Sequence, residues 1–188
     1  GHPLIGSQED AGVFKSRYGG ILMKPTIEPF RLALKARLEA NTDILADSAA
    51  NGDDLQICDG NPHPETASNS MIILGSASGH NLAYSCGMQK ARETYDFMVI
   101  ISLLGNTHND KSTLRDRAYG LFSMIQEDIL LCDTEGFLNS DDEKVVDIAL
   151  PDFDEEEEIL GDGLMGFVVY MNISVSADIT RTPVEVAT

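Results

Sequence analysis

From Phe167 to Asp178 the chain alternates without a break. Phe167, Val169, Met171, Ile173, Val175 and Ala177 stand against Val168, Tyr170, Asn172, Ser174, Ser176 and Asp178. Period-two alternation over such a span marks a strand with one dry face and one wet face. That pattern is typical of an antiparallel sheet covered on one side. A second long strand is expected at about 88–104. There Tyr95, Phe97, Val99, Ile101 and Leu103 alternate with Thr94, Asp96, Met98, Ile100 and Ser102, and the later half is apolar on both faces.

A dry face needs a cover, and two stretches have the period of a helix. Phe30, Leu34 and Leu38 recur every four residues, with Ile27 and Ala33 alongside, which predicts an amphipathic helix over about 27–41. Thr26 is placed to accept a hydrogen bond from one of its orphan amides, and Pro29 is tolerated in its first turn. Leu114, Ala118, Leu121, Phe122, Ile125 and Ile129 form one stripe. This predicts a long helix over about 110–131, capped by Asn109 or Asp110.

Between these elements the sequence 71–74, MIIL, reads as a short buried strand ended by Gly75. Residues 47–70 are rich in turn formers, with a short strand near Leu55–Cys58. Residues 133–162 read as an acidic excursion with a strand at Lys144–Leu150. The expected fold is therefore α+β: a largely antiparallel sheet with two helices packed on one face and a long acidic loop insertion. The expected organisation is an N-terminal arm at 1–25, one domain at 26–180 and a C-terminal tail at 181–188.

Charge excludes whole classes of function. The chain has 31 acidic and 13 basic residues, a formal net of −18. Binding to nucleic-acid phosphates needs Lys and Arg, so the chain should repel polyanions. The acids are uneven: residues 133–162 hold 13 acids and one base, Lys144. No apolar run approaches the ~20 residues that span a bilayer. Cys58, Cys86 and Cys132 are widely spaced and form no C-x-x-C pair, which supports neither a disulfide framework nor a zinc site.

Three motifs invite chemistry and fail on context. Residues 161–166, GDGLMG, fit the dinucleotide fingerprint G-x-G-x-x-G. That fingerprint follows a strand and opens a helix. Here an acidic run precedes and a strand follows, and Glu155, Glu156, Glu157 and Glu158 would repel a phosphate. The glycines read instead as a turn into the last strand, with Gly161 and Gly163 in the turn and Gly166 at a strand start or bulge. Asp152, Asp154 and Glu156 suit the first positions of a calcium loop, but the sixth position is Glu157 where glycine is needed, and the twelfth is Gly163 where glutamate is needed. GSASG at 75–79 has Ala77 where a nucleophile elbow has serine; His80 stands nearby, with no orienting acid evident in the sequence. His2, His63, His80 and His108 show no i, i+4 pair for a metal. No catalytic, cofactor-binding or metal-binding residue is assigned. Arg115 and Arg117 read as local ion pairs with Asp110 and Asp116, or more sharply as contacts between subunits.

Over residues 24–180 the chain resembles the tail terminator (tail completion, minor tail) proteins of long-tailed bacteriophages. The resemblance rests on the helix PFRLALKARLEA, the strands MIILG and ETYDFMVIISLLG, the helix DKSTLRDRAYGLFSMIQEDIL and the closing strand GFVVYMNISVSADI. The acidic excursion before that last strand is longer than the family pattern. The resemblance implies a structural virion protein of the tail or neck, assembled in the host cytoplasm, and no enzyme. It implies a homo-oligomer, a hexameric ring on the head-proximal end of the tail tube. Such a ring ends tube growth and contacts the tail tube protein and a neck or head-completion protein. DNA passes such a ring without specific binding, and no membrane is involved. An acidic lining would keep that path slippery, with Glu155–Glu158 facing the lumen or the ring's end. The alternatives are another head–tail connector, a tail tube subunit, or a small acidic enzyme with its site on the loops after Gly75 and Gly105.

Overall fold

A computed structural model of the chain describes residues 25–84, 90–106, 111–130, 137–138, 143–161 and 163–180. The first helix, α1 (Ile27–Ala40), forms where the four-residue period predicts it. Phe30, Leu34 and Leu38 are fully buried on one face. Thr26 precedes it but makes no side-chain cap. Instead its backbone N–H and its hydroxyl both donate to Glu93 Oε1, each at 2.9 Å. The hydroxyl is turned toward the buried carboxylate instead of the first-turn amides, and Thr26, at φ −75° and ψ 1°, lacks the extended backbone of a capping residue.

A second helix, α2 (Thr42–Asn51), lies where no element was expected at 42–46 and turn-rich chain was expected from 47. Asn41 caps it, accepting from the amides of Asp43 and Ile44 at 2.9 and 3.0 Å. Gly52, at φ +62°, ends it in the left-handed conformation that glycine favours. Ile44 is its one fully buried residue, so it carries no apolar stripe to read. The helix packs against α1 and α3.

Strand β1 (Gln56–Asp59) matches the short strand expected there. Strand β2 (Ser70–Tyr84) does not stop at Gly75; it continues nine residues further. It does so through irregularities between Leu74 and Ala77 and between Ser78 and Asn81. Gly75 serves a close approach, because a Cβ there would lie 3.1 Å from the Met98 carbonyl oxygen. The extension is largely exposed, so no alternation announces it. Strand β3 (Lys90–Asn106) and helix α3 (Lys111–Leu130) fall within two residues of expectation; the expected caps Asn109 and Asp110 lie outside the described residues.

The largest departure is β4 (Glu143–Gly161). Nineteen residues of strand replace a short strand followed by an acidic loop. The four glutamates are paired, residue by residue, with β5 (Leu164–Thr180). An edge strand is held by backbone hydrogen bonds on one side only, and its side chains can stay in water. A charged run is therefore compatible with a strand there.

The sheet order is β1-β2-β3-β5-β4. Only the β1–β2 pair is parallel; the other pairs are antiparallel. Pairing of Phe97 with Ile173, Val99 with Met171 and Ile101 with Val169 puts these buried residues on one face. Helices α1 and α3 cover that face, and α2 packs on those two helices. Phe30 of α1 packs edge-on to Tyr95 and Phe97, with ring centroids 6.3 and 5.6 Å away. Tyr119 of α3 packs on Phe167 at 6.2 Å. The architecture is α+β, with three helices among the described residues where two were expected.

Candidate functional site

The acidic strand β4 and the long helix α3 packed on it bring a dense set of charged side chains together. Successive side chains of a strand point to opposite faces, so the run Asp152–Glu158 divides into two sets. Phe153, Glu155 and Glu157 pair with Met171, Val169 and Phe167 and share the helix-covered face. Asp152, Asp154, Glu156 and Glu158 pair with Asn172, Tyr170, Val168 and Gly166 and share the helix-free face.

The helix-side set is engaged. The Tyr119 hydroxyl donates to Glu155 Oε2. Arg115 Nη2 donates to Glu157 Oε1 at 2.8 Å. Phe153 packs against Phe122 and Tyr119, with ring centroids 5.3 and 6.0 Å apart. Burial and the adjacent Glu155 charge push the Tyr119 phenol up to about 12. On the helix-free face, Tyr170 donates to Glu156 at 3.3 Å; burial, then the Glu156 charge, raises its phenol too. Asp152, Asp154, Glu156 and Glu158 make no ion pair to any described residue.

The two arginines of α3 part company. Arg115 is 42% exposed and reaches the acidic strand. Arg117 is 13% exposed and turns inward. It holds Asp53 with two bonds of 2.7 and 3.0 Å and Asp47 with bonds of 3.1 and 3.0 Å. Its fifth bond goes to Ser70 Oγ at 3.0 Å. The fork geometry of guanidinium suits this arrangement, and the Arg117 bonds, ahead of every other cause, hold the Asp53 carboxyl below its usual range. Arg117 thus ties α3 to the end of α2 and the start of β2. Its carboxylate partners are 64 and 70 residues away in sequence, so the neighbours Asp110 and Asp116 gave no hint of them.

The motif readings resolve geometrically. Gly161 and Gly163 both have φ +76° and turn β4 into β5, with a strand on each side. No helix N-terminus follows them to receive a phosphate. Gly166 sits inside β5, paired with Leu104 and Glu158. Asp152, Asp154 and Glu156 lie along one strand, where alternate residues are about 7 Å apart, so they do not converge on an ion as loop ligands do. Among the described residues no group of three or more His, Cys, Asp or Glu is arranged to hold a metal.

His80 has an acid that the sequence did not reveal: its Nε2 lies 3.5 Å from Glu93 Oε2. Glu93 is 1% exposed. It is held by both donors of Thr26. Since the Thr26 hydroxyl donates to Glu93, the Tyr95 hydroxyl, 3.3 Å from it, is the donor in that pair. Burial above all raises the Tyr95 phenol well beyond its ordinary range. The two Thr26 bonds make Glu93 a buried anchor for the start of α1, and among the described residues no hydrogen bond joins His80 to Ser76 or Ser78. Cys58 is a free, half-buried thiol; Cys86 and Cys132 lie outside the described residues. No described helix is long and apolar enough to cross a membrane.

No protein-family model matches the chain. No curated protein matches it in sequence either. Among solved structures it is similar to a chain from the virion of a native gene transfer agent (GTA) particle, with a TM-score of 0.54 and 13% identity. The match covers 82% of this chain and 99% of that one. At this identity the likeness is one of fold.

Proposed function

We propose that this chain is a structural protein of a phage-like virion, and within that class a tail terminator. In this reading it forms a homo-hexameric ring at the head-proximal end of the tail tube. The ring ends tube growth on one side and receives the neck or head-completion protein on the other. Its chemistry is the fit of surfaces around a symmetry axis, without catalysis or cofactor.

One observation carries the reading: the fold corresponds to nearly the whole length of a virion chain. The charge is consistent with it. A net of −18 disfavours contact with DNA phosphates, as a passage for DNA requires. The residues assigned to the lumen or the ring's end are those on the helix-free face, Asp152, Asp154, Glu156 and Glu158. Glu155 and Glu157 are engaged under α3 by Tyr119 and Arg115. Arg115, with its exposed guanidinium, is the better of the two arginines for a subunit contact.

The reading is tested by imaging purified protein in negative stain. Single rings support it. Long tubes would make the chain a tube subunit, and a persistent monomer would remove the ring altogether.

A further inference from the structure

We propose that the outer edge of β4, from Asp152 to Ile159, accepts an added strand from another protein, and that this strand alternates basic and apolar residues. β4 ends the sheet order, and among the described residues nothing pairs with its outer edge. Its backbone donors and acceptors there form a template for β-augmentation. Proteins commonly blunt such an edge with bulges, proline or lysine. The irregularities of β4 fall between Val145 and Asp147, Ala149 and Asp152, and Ile159 and Gly161. From Asp152 to Ile159 the strand is regular, and Pro151 lies just outside. This window is about 27 Å long.

The window also exposes apolar surface. Ile159 is 79% exposed and Phe153 45%. Both lie on the helix-side face, where Glu155 and Glu157 already have partners. The opposite face holds carboxylates without an ion pair. An added strand therefore meets two different faces. Its helix-side residues lie beside Phe153 and Ile159, and apolar side chains suit them. Its other residues lie beside Asp154, Glu156 and Glu158, and cations suit them. Opposed like charges on neighbouring strands destabilise pairing, which excludes a second copy of β4. The other edge strand of this chain, β1 (Gln56–Asp59), has no base. Neither described edge strand of this chain suits it, and the occupant proposed is a segment of a different protein. The inference does not depend on the chain forming a ring.

The test uses the full chain and three labelled peptides of about eight residues, the length of the window. One alternates Lys and Val. One has the same composition with the lysines in one block and the valines in another. The third is the alternating peptide N-methylated at each backbone amide. Fluorescence anisotropy at physiological salt should show saturable binding of the first. The other two should bind about tenfold weaker or less. The double variant Glu156→Gln/Glu158→Gln should weaken the alternating peptide about tenfold while leaving the thermal midpoint within a few degrees. If all three peptides bind within about twofold of one another, or none binds, the edge is only a diffuse charge or a protected one, and the proposal fails.

Discussion

Glu155 and Glu156 are neighbours in sequence and lie on opposite faces of the sheet. Glu155 accepts a hydrogen bond from Tyr119 of α3, while Glu156 stands on the helix-free face beside Tyr170. The acidic run is therefore two surfaces, and its members should respond differently to neutralisation.

Replacing Glu155 and Glu157 by Gln should lower stability by about 0.5–1 kcal/mol, the usual worth of exposed charge-assisted contacts. Replacing Glu156 and Glu158 should leave it unchanged or raise it slightly, since like charges are relieved. Thermal unfolding of the two double variants decides this. Equal losses would show that the face assignment has no energetic meaning.

The Tyr119 phenol gives a pH test. Its folded value is raised to about 12 from the ordinary value near 10. Its protonated form is thus favoured by folding. That contribution is fully present below about pH 10 and is lost as pH rises through the folded value. In Glu155→Gln, ultraviolet titration should show one phenol moving back toward 10. A titration identical to that of the parent chain contradicts the bond.

Arg117 should matter more than Arg115. Removing a mostly buried guanidinium strands Asp47 and Asp53, and Arg117→Ala should cost about 3 kcal/mol. Arg115→Ala should cost less than about 1 kcal/mol. Asp53 adds a pH signature: its folded value is lowered, so its stabilisation is present above about pH 4. It is lost as pH falls through that lower value. Urea titrations at pH 7 and pH 3 should show the gap between the parent chain and Arg117→Ala narrowing in acid.

Gly161 tests the turn. A Cβ there meets nothing within 4 Å, so substitution acts through the backbone alone. At φ +76°, Gly161→Ala should cost about 1–2 kcal/mol, and Gly161→Asn less, because Asn tolerates the left-handed region. Chemical denaturation measures both, and a neutral Gly161→Ala contradicts the turn geometry.

Much of the core could be read from the sequence because burial imposes a period. Phe167 through Ala177 and Phe30, Leu34 and Leu38 declare their elements, since one face of each must be dry. The elements that escaped are those that bury little. α2 buries Ile44 and is marked only by its Asn41 cap and Gly52 stop. The far half of β2 is exposed and irregular. β4 hides its strand behind carboxylates because an edge strand pairs through its backbone. The Glu93–Thr26 anchor and the Arg117 pairs with Asp47 and Asp53 join residues more than 60 apart, a pairing that no local pattern carries. The turn at Gly161 and Gly163 was legible because a charge run and a following strand leave those glycines no other part to play.

The proposed role requires this chain to close into a ring. Native mass measurement of the purified full chain, with electron microscopy of the same sample, tests it most directly. The expected result is a closed six-membered species seen as single rings. A chain that stays monomeric at high concentration, or that polymerises into open-ended tubes, would contradict it.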